Sequence, residues 1–330
     1  MISPPGFVDL QINGFAGINF SHPGLSIEDV RRAVSLLAAR GTVAFCPTIV
    51  TAALDVYEQN LPVLAHAMAD PALRPHILGI HLEGPFISPL DGPRGAHPKQ
   101  HVRTPDPALL THWHELANGH IRLLTLAPEL DGALPLIHTA VQLGITVSIG
   151  HSAANDSQLQ AAVDAGARAS THLGNAASPA PKPRLSSIFF HLACDRLMTM
   201  CITDGHHLPR PFMITAVRMT APHRLIVVSD AAPVAGLPPG SYDFLGKRVH
   251  LVPSSRIVCP HTASLAGSAA TMLDCINTLA SLNLLDEPAL WRAGFFNPLS
   301  LIGVDPALFA SLTTLVRFSH GSFSLTSSQE

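Results

Sequence analysis

The sequence predicts an α/β fold, specifically a (β/α)8 barrel in which eight parallel strands alternate with helices. Three observations lead there. The chain is 330 residues long, 47% of them hydrophobic and only 13% charged, so most of it is core. Short apolar runs recur at 6–12, 42–48, 77–83, 121–127, 145–150, 169–173, 197–203 and 225–229, separated by helix-length segments. Polar residues gather at the C-terminal end of run after run, where the active face of such a barrel lies.

Each element has a local reason. The runs are apolar almost throughout, as expected of parallel strands covered on both faces. The first ends in Gln11-Ile12-Asn13. A helix follows, with Ser26 and Asp29 as a capping box, Val30, Val34 and Leu37 on one face, and Gly41 to stop it. The third run carries His81 and Glu83, the fourth is followed by Glu129, and the fifth by His151-Ser152. Residues 156–166 repeat the helix pattern, with Leu159, Ala162 and Val163 inward and a glycine at the end. Thr171, His172 and Asn175 close the sixth run, Asp204, His206 and His207 the seventh, and Ser229 and Asp230 the eighth. Beyond it, 240–259 reads as a β-hairpin insertion, 268–285 as a helix, and 312–325 as one or two strands before a serine-rich end. The expected division is a barrel with its insertion over 4–310, then a strand remnant and tail over 311–330.

Composition narrows the function. The formal charge is −3 and the 20 Lys and Arg residues form no long run, which excludes a phosphate-backbone partner. No stretch approaches the roughly 20 apolar residues that span a bilayer. The five cysteines are unpaired in spacing, as in a reducing compartment. A cytoplasmic protein with no nucleic-acid or membrane partner is expected. Histidine stands out, with 19 copies against 2 Trp and 2 Tyr.

Three of the strand-end residues form a chemical set. Glu83, His151 and His172 offer one oxygen and two imidazoles, the donor set of a catalytic zinc that keeps a position open for water. A metal there polarises a carbonyl and acidifies water, which suits amide hydrolysis. The alternative is that a buried Glu and two His satisfy one another. Asp230, at the end of the eighth run, is the natural general acid/base; the alternative is a cap on the Pro- and Gly-rich loop that follows, and the two roles are compatible. His97 and His207 follow strands and could donate to a substrate, or be loop histidines. Lys182 and Arg184, in a Pro-rich loop, are candidate partners for an anion, or a solvated pair.

Read together, PGFVDLQING (5–14), HLEGPF (81–86), GAH (95–97), TLAPE (125–129), GHS (150–152), THLGNA (171–176), ITDGHH (202–207), SDA (229–231) and LAGSAATM (265–272) resemble the N-acetylglucosamine-6-phosphate deacetylase family of the amidohydrolase superfamily. The resemblance implies a metal-dependent hydrolase that converts N-acetylglucosamine 6-phosphate to glucosamine 6-phosphate and acetate. It implies Glu83, His151 and His172 as metal ligands, Asp230 as the catalytic acid/base with metal-bound hydroxide as nucleophile, and His97, Asn175, Ala176 and His207 as substrate-binding residues, with Arg184 as the candidate phosphate contact. Gln11 and Asn13 stand where many superfamily members have His-x-His, so one divalent metal ion is expected: zinc, or the iron, cobalt or manganese that such donors also accept. The chain departs from the family pattern at Gly174 and Ala177 and in the loop around Arg184. The family's small β-sandwich is expected to be reduced or missing, and a homodimer to cover the exposed surface. Two other functions remain open: an amidohydrolase acting on a non-phosphorylated N-acetyl or cyclic amide, and a non-catalytic sugar-binding protein.

Overall fold

Eight parallel strands follow one another around a sheet in chain order in the computed structural model, which describes residues 3–175, 187–254, 256–258 and 267–326. They are β1 (Phe7–Ile12), β2 (Thr42–Val50), β3 (Ile80–Glu83), β4 (Ile121–Leu126), β5 (Thr146–Ile149), β6 (Ala169–Ser170), β7 (Met198–Cys201) and β8 (Leu225–Val227). The ring closes where Ile12 bridges Ala231 and the Asp230 N–H donates to the Gln11 carbonyl at 3.0 Å. The expected (β/α)8 barrel is therefore present, although β6 and β8 are only two and three residues long.

Helices α1 (Ile27–Ala38), α2 (Leu54–Ala69), α3 (Pro107–Leu116), α4 (Ala133–Gln142), α5 (Asp156–Ala165), α6 (Ser187–Ala193) and α7 (Arg210–Thr220) follow strands β1 to β7. Sequence explains their limits. The Ser26 hydroxyl accepts the Asp29 N–H and the Asp29 carboxylate accepts the Ser26 N–H, which completes the box ahead of α1. Val30, Ala33, Val34 and Leu37 form its buried stripe. Asn155 and Gln158 make the same reciprocal pair ahead of α5.

After β8 the chain leaves the barrel. Residues 240–258 form three antiparallel strands, β9 (Gly240–Phe244), β10 (Lys247–Val252) and β11 (Arg256–Val258), so a third strand joins the expected hairpin. Their apolar side, with Phe244, Val249, Leu251 and Ile257, packs on Ala232 and Val234 of the loop after β8 and on Ala96 beside His97. Helix α8 (Met272–Ala280) starts later than the periodicity suggests, because Thr271 and Asp274 form a capping box there. Helices α9 (Glu287–Trp291) and α10 (Asn297–Leu301) flank a π-helical turn, and a hairpin of β12 (Val316–Ser319) and β13 (Ser322–Leu325) ends the described chain. Phe7 packs against Trp291 and Phe323, each with ring centroids 5.2 Å away.

One strand breaks the apolar rule. In β1, Val8, Leu10 and Ile12 join the apolar packing, whereas Asp9 and Gln11, and Asn13 just beyond, are buried and reach polar groups inside the barrel. His81 lies below the mouth: its Nδ1–H donates to the Leu10 carbonyl at 3.0 Å, and its Nε2 accepts the Thr125 hydroxyl at 2.8 Å. Burial lowers its pKa to about 4, which keeps the ring neutral in this position.

Candidate active site

Glu83, at the last position of β3, stands at the centre of the mouth. Its Oε1 lies 2.8 Å from His172 Nε2 and 3.1 Å from His151 Nε2, and the two imidazole nitrogens are 3.1 Å apart. His151 Nδ1 faces the Pro93 carbonyl at 3.0 Å, and a carbonyl only accepts, so this nitrogen carries the hydrogen. With its hydrogen on Nδ1, the neutral tautomer would leave a bare Nε2 lone pair facing a carboxylate oxygen. Two acceptors at that distance repel unless a cation lies between them. His172 Nδ1, Gln11 Oε1 and Asn13 Oδ1 are also buried here without a hydrogen-bond partner among the described residues. Metal–nitrogen bonds of about 2.0–2.1 Å at tetrahedral angles set donors about 3.3 Å apart, close to the spacing found. The donor set thus fits a divalent metal.

His97 adds a further donor. Its Nε2 is 3.2 Å from His151 Nε2 and 4.0 Å from Glu83 Oε2, and Glu83, His97 and His151 place one donor atom each within 4.8 Å of one another. Two triads, sharing Glu83 and His151, are thus within reach of one ion. We favour the triad with His172, because its donor pairs are closer than the 4.0 Å between His97 and Glu83. His97 Nδ1 pairs instead with Thr51 Oγ1 at 2.9 Å. Gly84 makes that packing possible: with φ +84°, a side chain there would come within 2.2 Å of the same Thr51 oxygen.

Asp230 faces this cluster from the other side. Its Oδ1 accepts Asn13 Nδ2–H at 2.8 Å and Gln11 Nε2–H at 3.1 Å, and the same Gln11 amide lies 2.7 Å from Glu83 Oε1. Among the described residues, no backbone N–H of the loop after it reaches the carboxylate. Burial, reinforced by the negative charge of Glu83, raises its pKa to about 6. Glu83 goes the other way: burial pushes it up, but the imidazoles of His151 and His172 set against its carboxylate outweigh that and hold it well below the usual range. Two buried carboxylates with opposed shifts are the arrangement in which one stays ionised and the other exchanges a proton. His151, His172 and Asp230 have φ of 49°, 25° and 51°, left-handed conformations that cost non-glycine residues about 1–3 kcal/mol each.

A cavity of about 440 Å³ opens above these groups, lined by Asn13, Glu83, His97, His151, His172, Asn175, His207 and Asp230. His207 is oriented by Asp204, whose carboxylate accepts its Nδ1–H at 2.8 Å and the backbone N–H groups of His206 and His207. Phe244 and Leu245, at the tip of the β9–β10 hairpin, form part of the apolar wall. Of the sequence-predicted residues, Glu83, His97, His151, His172, Asn175, His207 and Asp230 meet at this cavity, while Ala176, Lys182 and Arg184 lie outside the described residues. Sequence reasoning missed the contacts of Gln11, Asn13, Thr51 and Asp204, and the approach of Phe244 and Leu245. For the first two, polar residues alternating within an apolar strand marked the side chains but not their partners.

No family model matches the sequence. Curated proteins do: the N-acetylglucosamine-6-phosphate deacetylase of Danio rerio is 36% identical over 318 residues, covering 92% of this chain and 76% of that protein. The enzyme of the same name from Bos taurus is 36% identical over 316 residues, covering 92% and 75%. Among solved structures, N-acetyl-D-glucosamine-6-phosphate deacetylase from Mycobacterium smegmatis superposes with a TM-score of 0.86 at 30% identity, over 97% of this chain and 84% of that one.

Proposed function

The chain belongs to the N-acetylglucosamine-6-phosphate deacetylase family, and we propose that it hydrolyses N-acetylglucosamine 6-phosphate to glucosamine 6-phosphate and acetate. The observation that carries the reading is the convergence of Glu83, His151 and His172 beside a protonatable Asp230 at the barrel mouth. Glu83, His151 and His172 would hold one divalent metal. When bound, it supplies Lewis acidity to the acetyl carbonyl and lowers the pKa of the attacking water. One carboxylate and two imidazoles favour zinc.

The chain's own groups handle the rest. Asp230 Oδ1 is fixed by Asn13 and Gln11, whereas Oδ2 makes no hydrogen bond among the described residues. Oδ2 takes the proton of the attacking water and returns it to the departing amine nitrogen, so that C–N cleavage releases a neutral amine. In the tautomer in which Thr51 donates to His97 Nδ1, His97 Nε2 carries the hydrogen; with the His151 lone pair 3.2 Å away committed to a metal, that N–H would be available to the acetyl oxygen as charge develops there. His207, with Nδ1 committed to Asp204, offers Nε2 to a sugar hydroxyl, and Asn175 and Ala176 contact the sugar. Arg184 is the candidate phosphate partner. The reaction belongs to residues 4–310, and 311–330 take no part in it. The four described cysteines are free thiols, which suits a cytoplasmic enzyme; we further propose a homodimer, to be read by size-exclusion chromatography with light scattering.

Acetate release from N-acetylglucosamine 6-phosphate, measured with the metal content of the same sample, tests the function. Turnover that scales with bound metal is expected. Equal kcat/KM for unphosphorylated N-acetylglucosamine would overturn the phosphate, and metal-free turnover would overturn the mechanism.

A further inference from the structure

Asp9 is the buried carboxylate that the chemistry above leaves unused. It is fully buried in β1, one inward-facing position below Gln11, and among the described residues no basic side chain pairs with it. Instead it collects donors. Its Oδ1 accepts the Gln11 N–H at 3.1 Å and the Ser229 N–H at 3.2 Å, and its Oδ2 accepts the Ser229 hydroxyl. The Ser229 oxygen in turn accepts the Ala231 N–H at 3.1 Å.

These bonds stand where a strand ladder is missing. β8 ends at Val227 and pairs with β7, while toward β1 the backbone contact is the Ile12–Ala231 bridge, in which the Asp230 N–H donates to the Gln11 carbonyl at 3.0 Å and the Asn13 N–H to the Ala231 carbonyl at 2.9 Å, with the Gly14 N–H reaching that same Ala231 carbonyl at 3.2 Å; no such bond lies at the level of Ser229 among the described residues. Among the described residues the Ser229 N–H has no strand carbonyl to donate to, and the Asp9 carboxylate takes that place. The residue held between Ser229 and Ala231 is Asp230, in its left-handed conformation. The three inward residues of this strand therefore act on one turn: Asp9 on its backbone, Gln11 and Asn13 on the Asp230 carboxylate.

We propose that Asp9 is a positioning residue for the acid/base Asp230, holding the Ser229–Asp230–Ala231 turn through Ser229 so that the Asp230 carboxylate faces the metal-ligand cluster. This rests on the role of Asp230 given above. A carboxylate suits the task because one group accepts a backbone N–H, a hydroxyl and a second N–H together. Asparagine has one accepting oxygen and would turn an amide N–H toward the Ser229 hydroxyl.

The test compares Asp9→Asn, Ser229→Ala and Asp230→Asn, singly and with Asp9→Asn combined with Asp230→Asn, for kcat, KM, metal content and melting temperature. Asp9→Asn is expected to lower kcat about 10- to 100-fold with KM and metal content unchanged. Ser229→Ala lowers the same parameter by less. In the Asp230→Asn background, Asp9→Asn has no further effect on kcat, since the residue it positions is already disabled. A folded Asp9→Asn with kcat within about twofold of wild type overturns the proposal, as does a full additional loss in the double variant. If Asp9→Asn does not fold, Ser229→Ala decides: unchanged kcat overturns the proposal and a selective loss supports it. An active Asp230→Asn overturns the acid/base assignment itself, and this inference with it.

Discussion

Around the outside of the strands, Leu82, Leu124, Leu126 and Val147 pack with Leu110, Leu136, Ile137 and Leu159 of the surrounding helices in one apolar cluster. At the mouth, a few residues further along the same strands, Glu83 and Asp230 share one Gln11 amide, and imidazoles stand nitrogen to nitrogen. Both regions are buried, but opposite terms govern them. In the jacket, burial is favourable in proportion to the area removed from water. At the mouth, burial sets like charges against each other and holds three side chains in strained backbone. The contrast teaches that the jacket supplies the stability that the mouth spends on chemistry.

Asp230→Asn separates the two most sharply. Activity should fall by about 10²–10⁴-fold, the usual worth of a positioned acid/base. Stability of the metal-free protein should hold or rise, because the change removes repulsion with Glu83. A fall in melting temperature would show the mouth to be as integral to the fold as the jacket. Trp113→Ala is the reciprocal experiment. Trp113 is fully buried in α3, stacked on Tyr57 at 4.2 Å and near Phe86 at 5.9 Å. Its loss should cost about 3–5 kcal/mol in denaturant unfolding, while the folded fraction keeps its kcat.

Chelation probes the boundary between the regions. If a metal neutralises the cluster, its removal should destabilise the wild type by about 3–4 kcal/mol when free metal had stood at about 100–1,000 times its Kd. His151→Ala should be insensitive to the same treatment in thermal melts. A melting temperature of wild type unmoved by chelator would remove the metal from the account of this site.

Acidity gives a smaller and more local effect. Asp230 must be ionised to take a proton, and its pKa is raised to about 6, so kcat/KM should fall on the acid side, about tenfold per pH unit. A divalent cation among Glu83 and the histidines pulls that carboxylate down, which places the limb of the loaded enzyme below about 6. Asn13 stabilises the ionised form through its 2.8 Å bond, so Asn13→Ala should move the limb to higher pH. A shift to lower pH would contradict the assigned hydrogen bond.

How much of this was legible in the sequence differs along the same line. The jacket was, because periodicity and caps are local: the runs found by hydropathy contain seven of the eight strands and all but the last two residues of β2, and Ser26 with Asp29 marked α1 directly. The metal-ligand candidates were legible as polar residues at strand ends. What could not be read was pairing across the barrel. Nothing near Gln11 signals an amide shared with Asp230, 219 residues away, and nothing in 240–258 says that the Phe244–Leu245 tip returns to the mouth. Those contacts follow from closure of the ring, which no local pattern encodes. Asp204 is an intermediate case, since its distance from His207 is only three residues, but its role depends on the turn that folds one onto the other.

Ser26→Ala is the mildest test of the division, and the cleanest. The α1 cap lies on the exposed surface, and its reciprocal bonds with Asp29 satisfy donors that no other described side chain reaches. Removing the hydroxyl leaves the Asp29 N–H to water and should cost about 1 kcal/mol of unfolding free energy. None of the groups at the mouth touches α1, so kcat, KM and metal affinity should be unchanged. If the two regions are energetically separate, the loss appears only in the unfolding midpoint. A parallel drop in kcat would mean that strain at His151, His172 and Asp230 responds to a small loss of stability anywhere in the ring, and jacket and mouth would then have to be treated as one cooperative unit.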